Sequence, residues 1–127
     1  MLNQLAKEIH ENAVAHGWWE EERSFGEIVA LCHSELSEAL EEYRANRPML
    51  YCDAGMCMRP ECRKNGCKNV DCFTGNTKPE GIAVEMADVI IRILDWCGKE
   101  GIDMDAILRI KTEYNKTRSY RHGGKKL

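Results

Sequence analysis

The segment from Ile82 to Cys97 places the strongest limit on what this chain can fold into, because it is apolar at almost every position. A helix turns by about 100° per residue, so a helical wheel shows which side chains share a face. On that wheel the charged side chains of the segment form one narrow stripe: Glu85, Asp88, Arg92 and Asp95. Buried charges are costly unless they are paired or bind a metal. We therefore expect a largely buried helix whose stripe faces ionic partners.

Length and composition narrow the class of protein. The 127 residues suit a single domain over residues 1–127, with the 43% hydrophobic and 31% charged residues of a folded, water-soluble protein. The net charge of -3 and the lack of a long basic run argue against a nucleic-acid polymer as partner. Neither a membrane-spanning run nor a signal peptide is visible. We expect a cytoplasmic protein that binds no membrane, with its cysteines as thiols or metal ligands.

Four helical segments, and no convincing strand, predict an all-α fold similar to a four-helix bundle. Their expected ranges are residues 2–16, 24–44, 82–98 and 103–118. Ser24 and Glu27 have the spacing of a capping box at the start of the second helix, and Asp103 is the expected N-cap of the fourth.

Residues 49–77, between the second and third helices, form a Cys-rich inserted loop that is too long for an ordinary bundle connection. Five cysteines recur at every fifth position: Cys52, Cys57, Cys62, Cys67 and Cys72. This is not the paired spacing of a zinc finger, but four of them could form a Zn²⁺ site that orders the loop. Free thiols and disulfides remain the alternatives. We expect the insert to tune stability or access rather than to perform chemistry.

The second helix carries acids that match the stripe of the third. Glu35 falls inside the apolar arc of the second helix, and Glu38 lies beside it. Packing of the two helices would bring four carboxylates together: Glu35, Glu38, Glu85 and Asp88. Like charges repel, and a hard divalent cation such as Mg²⁺ or Mn²⁺ would resolve that repulsion. Arg92 and Asp95 are expected behind these ligands as ion-pair partners.

The fourth helix carries side chains of the opposite sign. Lys111, Asn115 and Arg118 have i, i+4, i+7 spacing and share a face with apolar residues. This arrangement suits a phosphate chain, with an ordinary ion-pair network as the alternative. Trp18, near the end of the first helix, is a candidate to stack on a base, and Trp19 is expected in the core or an interface.

Three stretches, "SELSEALEEYR", "KPEGIAVEMADVIIRILD" and "YNKTRSYRHGGK", resemble the MazG-like, all-α nucleoside triphosphate pyrophosphohydrolase superfamily. The signature of that family is ExxE on one helix and ExxD on the next, which here are Glu35 with Glu38 and Glu85 with Asp88. The resemblance covers nearly the whole chain outside residues 49–77.

The resemblance implies Mg²⁺-dependent hydrolysis of a nucleoside triphosphate, first of all a dNTP, to the monophosphate and pyrophosphate. It implies a homodimer or homotetramer with a role in nucleotide-pool housekeeping. All four signature acids would be metal ligands, with Glu38 as the catalytic residue near the attacking water, and Lys111, Asn115 and Arg118 would hold the phosphates.

Two alternatives stay open. One is a pyrophosphohydrolase of another phosphorylated nucleotide, and the other is a non-catalytic helical binding or regulatory module whose acids pair with arginines.

Overall fold

A computed structural model of the chain describes residues 1–52, 62, 65–67, 73 and 77–127. The helices are α1 Leu2–Ala15, α2 Phe25–Arg44, α3 Ile82–Glu100, α4 Met104–Lys116 and the short turn α5 Arg121–Gly124. The chain is mostly helical, which confirms the all-α class. α3 continues two residues beyond its predicted end, and α4 stops two residues before its predicted end. The finer description, a four-helix MazG-like bundle with a Cys-rich loop, stays a prediction.

Local sequence signals determine where the helices begin. The Ser24 hydroxyl accepts a hydrogen bond from the Glu27 amide at 3.2 Å, and the Glu27 carboxylate accepts one from the Ser24 amide at 2.6 Å. This reciprocal pair confirms the predicted capping box. At the start of α4, Asp103 accepts a hydrogen bond from the Ala106 amide at 3.0 Å, which confirms the predicted N-cap.

One small sheet was missing from the sequence prediction. β1 (Tyr51–Cys52) pairs antiparallel with β2 (Pro79–Glu80). Two-residue strands are too short to show an alternating pattern, so nothing in the sequence indicated them. Beside the sheet, a Cβ on Gly81 would lie 2.5 Å from the Met49 carbonyl oxygen, and Gly81 has a φ of +115°. Only glycine allows the chain to approach so closely here. The sheet thus holds the chain after α2 next to the start of α3.

The residues group into two compact units. The first comprises Met1–Glu20 and Leu94–Leu127, and the second comprises Glu21–Ile93. Each unit is described by itself below. The assignment of residues 1–127 to one domain stays a prediction. No helix in the described ranges is long and apolar enough to cross a membrane.

The core of the first unit lies where α1 meets the C-terminal half of α3. Ala6, Leu94 and Cys97 are buried there. A Cβ on Gly98 would lie 2.5 Å from the carbonyl oxygen of Ala6 and 2.8 Å from the Cβ of His10. Because both distances are below any ordinary contact, a side chain at this position would push the two helices apart. The core also has partly buried members that pack against it: Leu2, Ile9, Trp96, Ile102 and Met104.

Asp95 joins three parts of the first unit, and its expected role as an ion-pair partner behind the metal ligands stays a prediction. His10 Nδ1 lies 2.7 Å from Asp95 Oδ1, and Trp19 Nε1 donates to the same oxygen at 3.0 Å. The rings of His10 and Trp19 meet edge to face, 5.5 Å between centroids. Trp19 is half-buried with its N–H satisfied, and its predicted place in the core or an interface stays a prediction. Asp95 thus has hydrogen-bond partners within the first unit.

Candidate metal centre

α2 contributes one buried carboxylate to the second unit. Ile28, Glu35 and Ala39 are the buried residues of this helix, and they share one face at helical spacing. Glu35 is only 8% exposed. A glutamate seldom occupies such a position unless an ion or hydrogen-bond partner compensates for the lost hydration. The wheel prediction that Glu35 faces inward is confirmed.

α3 contributes two further carboxylates that face Glu35. Glu85 and Asp88, three residues apart on this helix, are both half-buried. One oxygen from each of the three acids lies within 4.8 Å of the others. Two oxygens at opposite corners of an Mg²⁺ octahedron are about 4.2 Å apart, so small side-chain adjustments suffice to match this ion. The donor set, three carboxylates and no sulfur or imidazole, also fits a hard cation.

Glu38, the fourth predicted ligand, lies one turn beyond Glu35 but is exposed. Among the described side chains, the converging group consists of Glu35, Glu85 and Asp88 without it. Its charge is nevertheless close enough to help raise the pKa of Glu85. A position at the edge of the three converging acids is compatible with the predicted role beside an attacking water. The metal-ligand and catalytic roles of Glu38 stay predictions.

The electrostatics of the site favour a cation. Burial first, and then the charges of Glu38, Asp88, Glu35 and Glu42, raise the pKa of Glu85 above its ordinary range. Burial and the charge of Glu35 also raise the pKa of Asp88, although Arg92 and Lys78 act in the opposite direction. Raised carboxyl pKa values mean that the ionised forms are under strain from desolvation and repulsion. A bound divalent ion would relieve both.

Arg92 supplies the direct counter-charge. Its Nε donates to Glu35 Oε1 at 2.7 Å, and its Nη2 lies 2.5 Å from the same oxygen. This confirms the expected ion-pair role of Arg92 and identifies Glu35 as its partner. Within the described part of the chain, no salt bridge involves Glu85 or Asp88.

Two polar side chains near the acids were missed by the sequence interpretation. The Tyr51 hydroxyl donates to Glu42 at 2.8 Å, and burial together with this bond raises the pKa of Tyr51 to about 12. Lys78 lowers the pKa of Asp88 through its charge. Tyr51 lies in β1 near the start of the insert, and Lys78 lies between the insert and β2. Their position near the acids depends on the pairing of β1 with β2, which no local sequence pattern predicts.

The predicted substrate-binding residues belong to the first unit and are exposed: Lys111, Asn115 and Arg118 for the phosphates and Trp18 for the base. Lys111 Nζ lies 5.2 Å and Arg118 Cζ 6.0 Å from the centre of the Tyr114 ring, so both cations lie over an aromatic face. Trp18 is 61% exposed. The substrate-binding roles of all four residues stay predictions.

The cysteine insert is described only in part. Cys52 and Cys67 are buried, and Cys62 is half-buried. The amide of Cys67 donates to the carbonyl oxygen of Leu50 at 2.6 Å. This bond connects Cys67 to the residue directly before β1. Cys57 and Cys72 lie outside the described residues. The possible Zn²⁺ site of the five cysteines therefore stays a prediction.

Comparison with known proteins adds no further constraint on this site. The chain matches no protein-family model, no curated protein sequence and no solved structure. The case for a function therefore depends on the residues and their geometry.

Proposed function

We propose that this protein is a Mg²⁺-dependent nucleoside triphosphate pyrophosphohydrolase of the MazG-like kind. The observation that carries the proposal is the convergence of Glu35, Glu85 and Asp88 from two helices to within 4.8 Å. These are three of the four acids that the ExxE and ExxD motifs single out. Random surface acids rarely combine motif spacing with convergence on a buried face.

The charge of the site supports a divalent ion. The three converging carboxylates carry three negative charges, and Arg92 offsets one of them through its pair with Glu35. The net charge that remains at this site in the ion-free chain is negative, and a divalent cation would neutralise it. Mg²⁺ binds through carboxylates while keeping coordination positions for water and substrate phosphates. Such a site suits phosphate-ester or anhydride hydrolysis better than permanent structural metal binding.

In this proposal Glu35, Glu85 and Asp88 would hold the ion. The ion, when bound, would neutralise phosphate oxygens and favour in-line attack by water on the α-phosphorus. Glu38, exposed beside the three acids, would accept a hydrogen bond from the attacking water and take its proton. Lys111, Asn115, Arg118 and the stacking surface of Trp18 are the proposed contacts to phosphates and base. The leaving group is pyrophosphate, and the other product is the monophosphate.

A second candidate function is a non-catalytic helical module. The Arg92–Glu35 pair favours it, because a partly buried ion pair can be a purely structural feature. The pair neutralises only one of the three acids, however. A module without a ligand would keep the cost of the other two charges and gain nothing from them. The pyrophosphohydrolase proposal accounts for all three acids.

Pyrophosphate release tests the proposal directly. A panel of canonical and modified nucleoside triphosphates, including dNTPs, would be incubated with Mg²⁺ or with EDTA, and both products would be quantified. We expect Mg²⁺-dependent release of pyrophosphate and monophosphate in equal amounts. Related substrates, such as nucleotide sugars, would show whether another phosphorylated nucleotide is preferred. If every nucleotide is inert, the helical module becomes the better interpretation.

Two glutamine variants make the test specific to the site. Glu38→Gln removes the proposed proton acceptor and should reduce kcat by about 10²-fold or more while the helical circular dichroism spectrum is unchanged. Glu41→Gln is the matched control on the same helix, since Glu41 is exposed and pairs with Arg44 at 2.8 Å. Full activity of the Glu38 variant would refute the proposed catalytic role.

The exposed apolar surface supports the proposal of a homodimer or homotetramer. One side of α2 presents five large side chains within about 60° of arc. They are Phe25, Val29, Leu36, Leu40 and Tyr43, each at least 38% exposed. α3 exposes Met86, Ile90 and Ile91 in the same unit. Continuous apolar surface of this kind is more typical of a covered interface than of solvent, and light scattering with size-exclusion chromatography would give the mass of the particle.

A further inference from the structure

The inference concerns Arg92 and depends on the cation site of the proposed function. Arg92 lies one turn after Asp88 on α3 and is about one third exposed, whereas the Glu35 side chain is 11% exposed. Both of its contacting nitrogens approach a single oxygen, Glu35 Oε1, at 2.7 Å and 2.5 Å. Two charge-assisted contacts to one oxygen of this carboxylate compete with a metal ion that would coordinate the same group.

Two cations can therefore compete for Glu35: the Arg92 guanidinium and a metal ion. Glu35 is the most buried of the three converging acids, and the carboxylate that the guanidinium contacts is also one of the groups positioned for an ion. A guanidinium next to a cation site weakens ion binding twice, by repelling the ion and by occupying a ligand. A monovalent ion brings no more charge than the arginine it would displace, whereas a divalent ion brings twice as much.

We propose that Arg92 is a built-in competitor of the metal for Glu35. In the ion-free chain the guanidinium neutralises this buried carboxylate, and a divalent cation must displace it before the site is complete. Arg92 thereby determines the cation concentration at which the site fills and discriminates against Na⁺ and K⁺. It acts through Glu35 and is a positioning residue rather than a catalytic one.

Mn²⁺ binding in the absence of nucleotide tests this proposal without any activity assay. Free Mn²⁺ is followed by electron paramagnetic resonance during titration of the full chain at fixed ionic strength. Arg92→Met keeps the length and apolar stem of the side chain but removes its charge, and it should lower the Mn²⁺ Kd on the order of tenfold. Arg92→Lys keeps the charge with one contact fewer, so its Kd should lie between those of wild type and the methionine variant.

Arg44→Met is the matched control. It removes an arginine from the same unit and breaks a pair with Glu41, in which both side chains are 68% exposed. Its change of net charge equals that of the Arg92 variant, so a general electrostatic effect would appear in both proteins. We expect the Arg44 variant to bind Mn²⁺ with the wild-type Kd.

Several results would refute the proposal that Arg92 competes with the metal for Glu35. They are an unchanged or weaker Mn²⁺ affinity of Arg92→Met, equal tightening in the Arg44 control, or the absence of Mn²⁺ binding in wild type and variant alike. If circular dichroism shows that the methionine variant does not fold, the lysine variant decides, and a Kd not below that of wild type refutes the proposal.

The experiment separates this proposal from the proposed function. A chain that binds Mn²⁺ but hydrolyses no nucleotide refutes the function and leaves the competition testable. A chain that hydrolyses nucleotides while its Arg92 variant binds Mn²⁺ no tighter refutes the competition alone.

Discussion

Neutralising Glu85 should have opposite effects on stability with and without a divalent ion. The substitution Glu85→Gln keeps the size and shape of the side chain but removes one of three negative charges whose oxygens lie within 4.8 Å of one another. In EDTA the variant is relieved of this repulsion and of the cost of burying the charge, both of which raise the pKa of the wild-type carboxyl. In Mg²⁺ it lacks a ligand.

The size of the gain in EDTA follows from the geometry. Two unit charges about 4.8 Å apart repel by about 3.5 kcal/mol at an effective dielectric constant of about 20 and by about 0.9 kcal/mol in bulk water. Arg92 already offsets the charge of Glu35, so the repulsion that matters is mainly that between Glu85 and Asp88. Because Glu85 is only half-buried, the repulsion energy should lie near the lower of these two values. We expect the variant to be about 1–2 kcal/mol more stable, which is a rise in Tm of about 3–10 °C.

Mg²⁺ should reverse this order. At an ion concentration of about 100 Kd, wild type gains about 2.7 kcal/mol from binding. A variant with about hundredfold weaker affinity gains only about 0.4 kcal/mol under the same conditions. Wild type is then the more stable protein, because its larger gain from ion binding exceeds the stability that the variant gains by losing the charge. The acids that would bind the ion thus lower the stability of the ion-free chain.

Thermal unfolding followed by circular dichroism in EDTA and in Mg²⁺ measures both effects. Glu41→Gln serves as the control, because its carboxylate is 68% exposed and belongs to a surface pair. The control should differ little from wild type in either condition. A Glu85 variant that is less stable than wild type in EDTA, or that gains as much as wild type from Mg²⁺, would refute the idea that these acids repel one another and bind an ion together.

Three further predictions concern the framework. Gly98→Ala should lower the free energy of unfolding by about 1–3 kcal/mol in urea titrations, since its Cβ would lie 2.5 Å from a backbone oxygen of α1 and the clash exceeds the alanine helix-propensity gain. Gly26→Ala is the control, with the nearest atom at 3.7 Å, and should be neutral or stabilising; equal losses in both variants would contradict the packing argument. Ser24→Ala should cost about 1 kcal/mol through loss of the capping box, and an unchanged urea midpoint would show that the box contributes nothing. Hydrogen bonds from the terminal ammonium and from backbone amides of α1 lower the pKa of Asp105 from 3.8 to about 2. Because a depressed carboxyl pKa stabilises the fold above the unfolded value, this contribution should fade between about pH 4 and pH 2, and the Tm difference between wild type and Asp105→Asn should shrink over that range; a constant difference would refute it.

Much of the helical framework could be predicted because its signals are local. The capping box at Ser24 and the N-cap at Asp103 each involve residues three positions apart, and such contacts form wherever the helix begins. The C-terminal end of α4 was less predictable. The helical pattern continues to Arg118, but the helix ends at Lys116. No strong stop signal such as glycine or proline directly follows Lys116, so the sequence did not indicate this end.

The candidate site was predictable in part because a helix has a regular period. The positions of Glu35 on one apolar face and of Glu85 and Asp88 on one stripe follow from 100° per residue, and the structure brings these three together. Glu38 marks the limit of this reasoning. It lies about 60° around the helix from Glu35, and whether such a side chain is covered depends on the width of the neighbouring element rather than on its own helix.

The sequence by itself determined the helices, their caps and the directions in which the acids point, because these depend on contacts within a few residues along the chain. Tertiary structure decided which partner each charge meets. Arg92 contacts Glu35 across 57 positions of the sequence, and Asp95 meets Trp19 across 76 and His10 across 85. Helical periodicity gives the angle of a side chain around its own axis, whereas the identity of the residue opposite depends on how separate segments pack, and no local pattern encodes that.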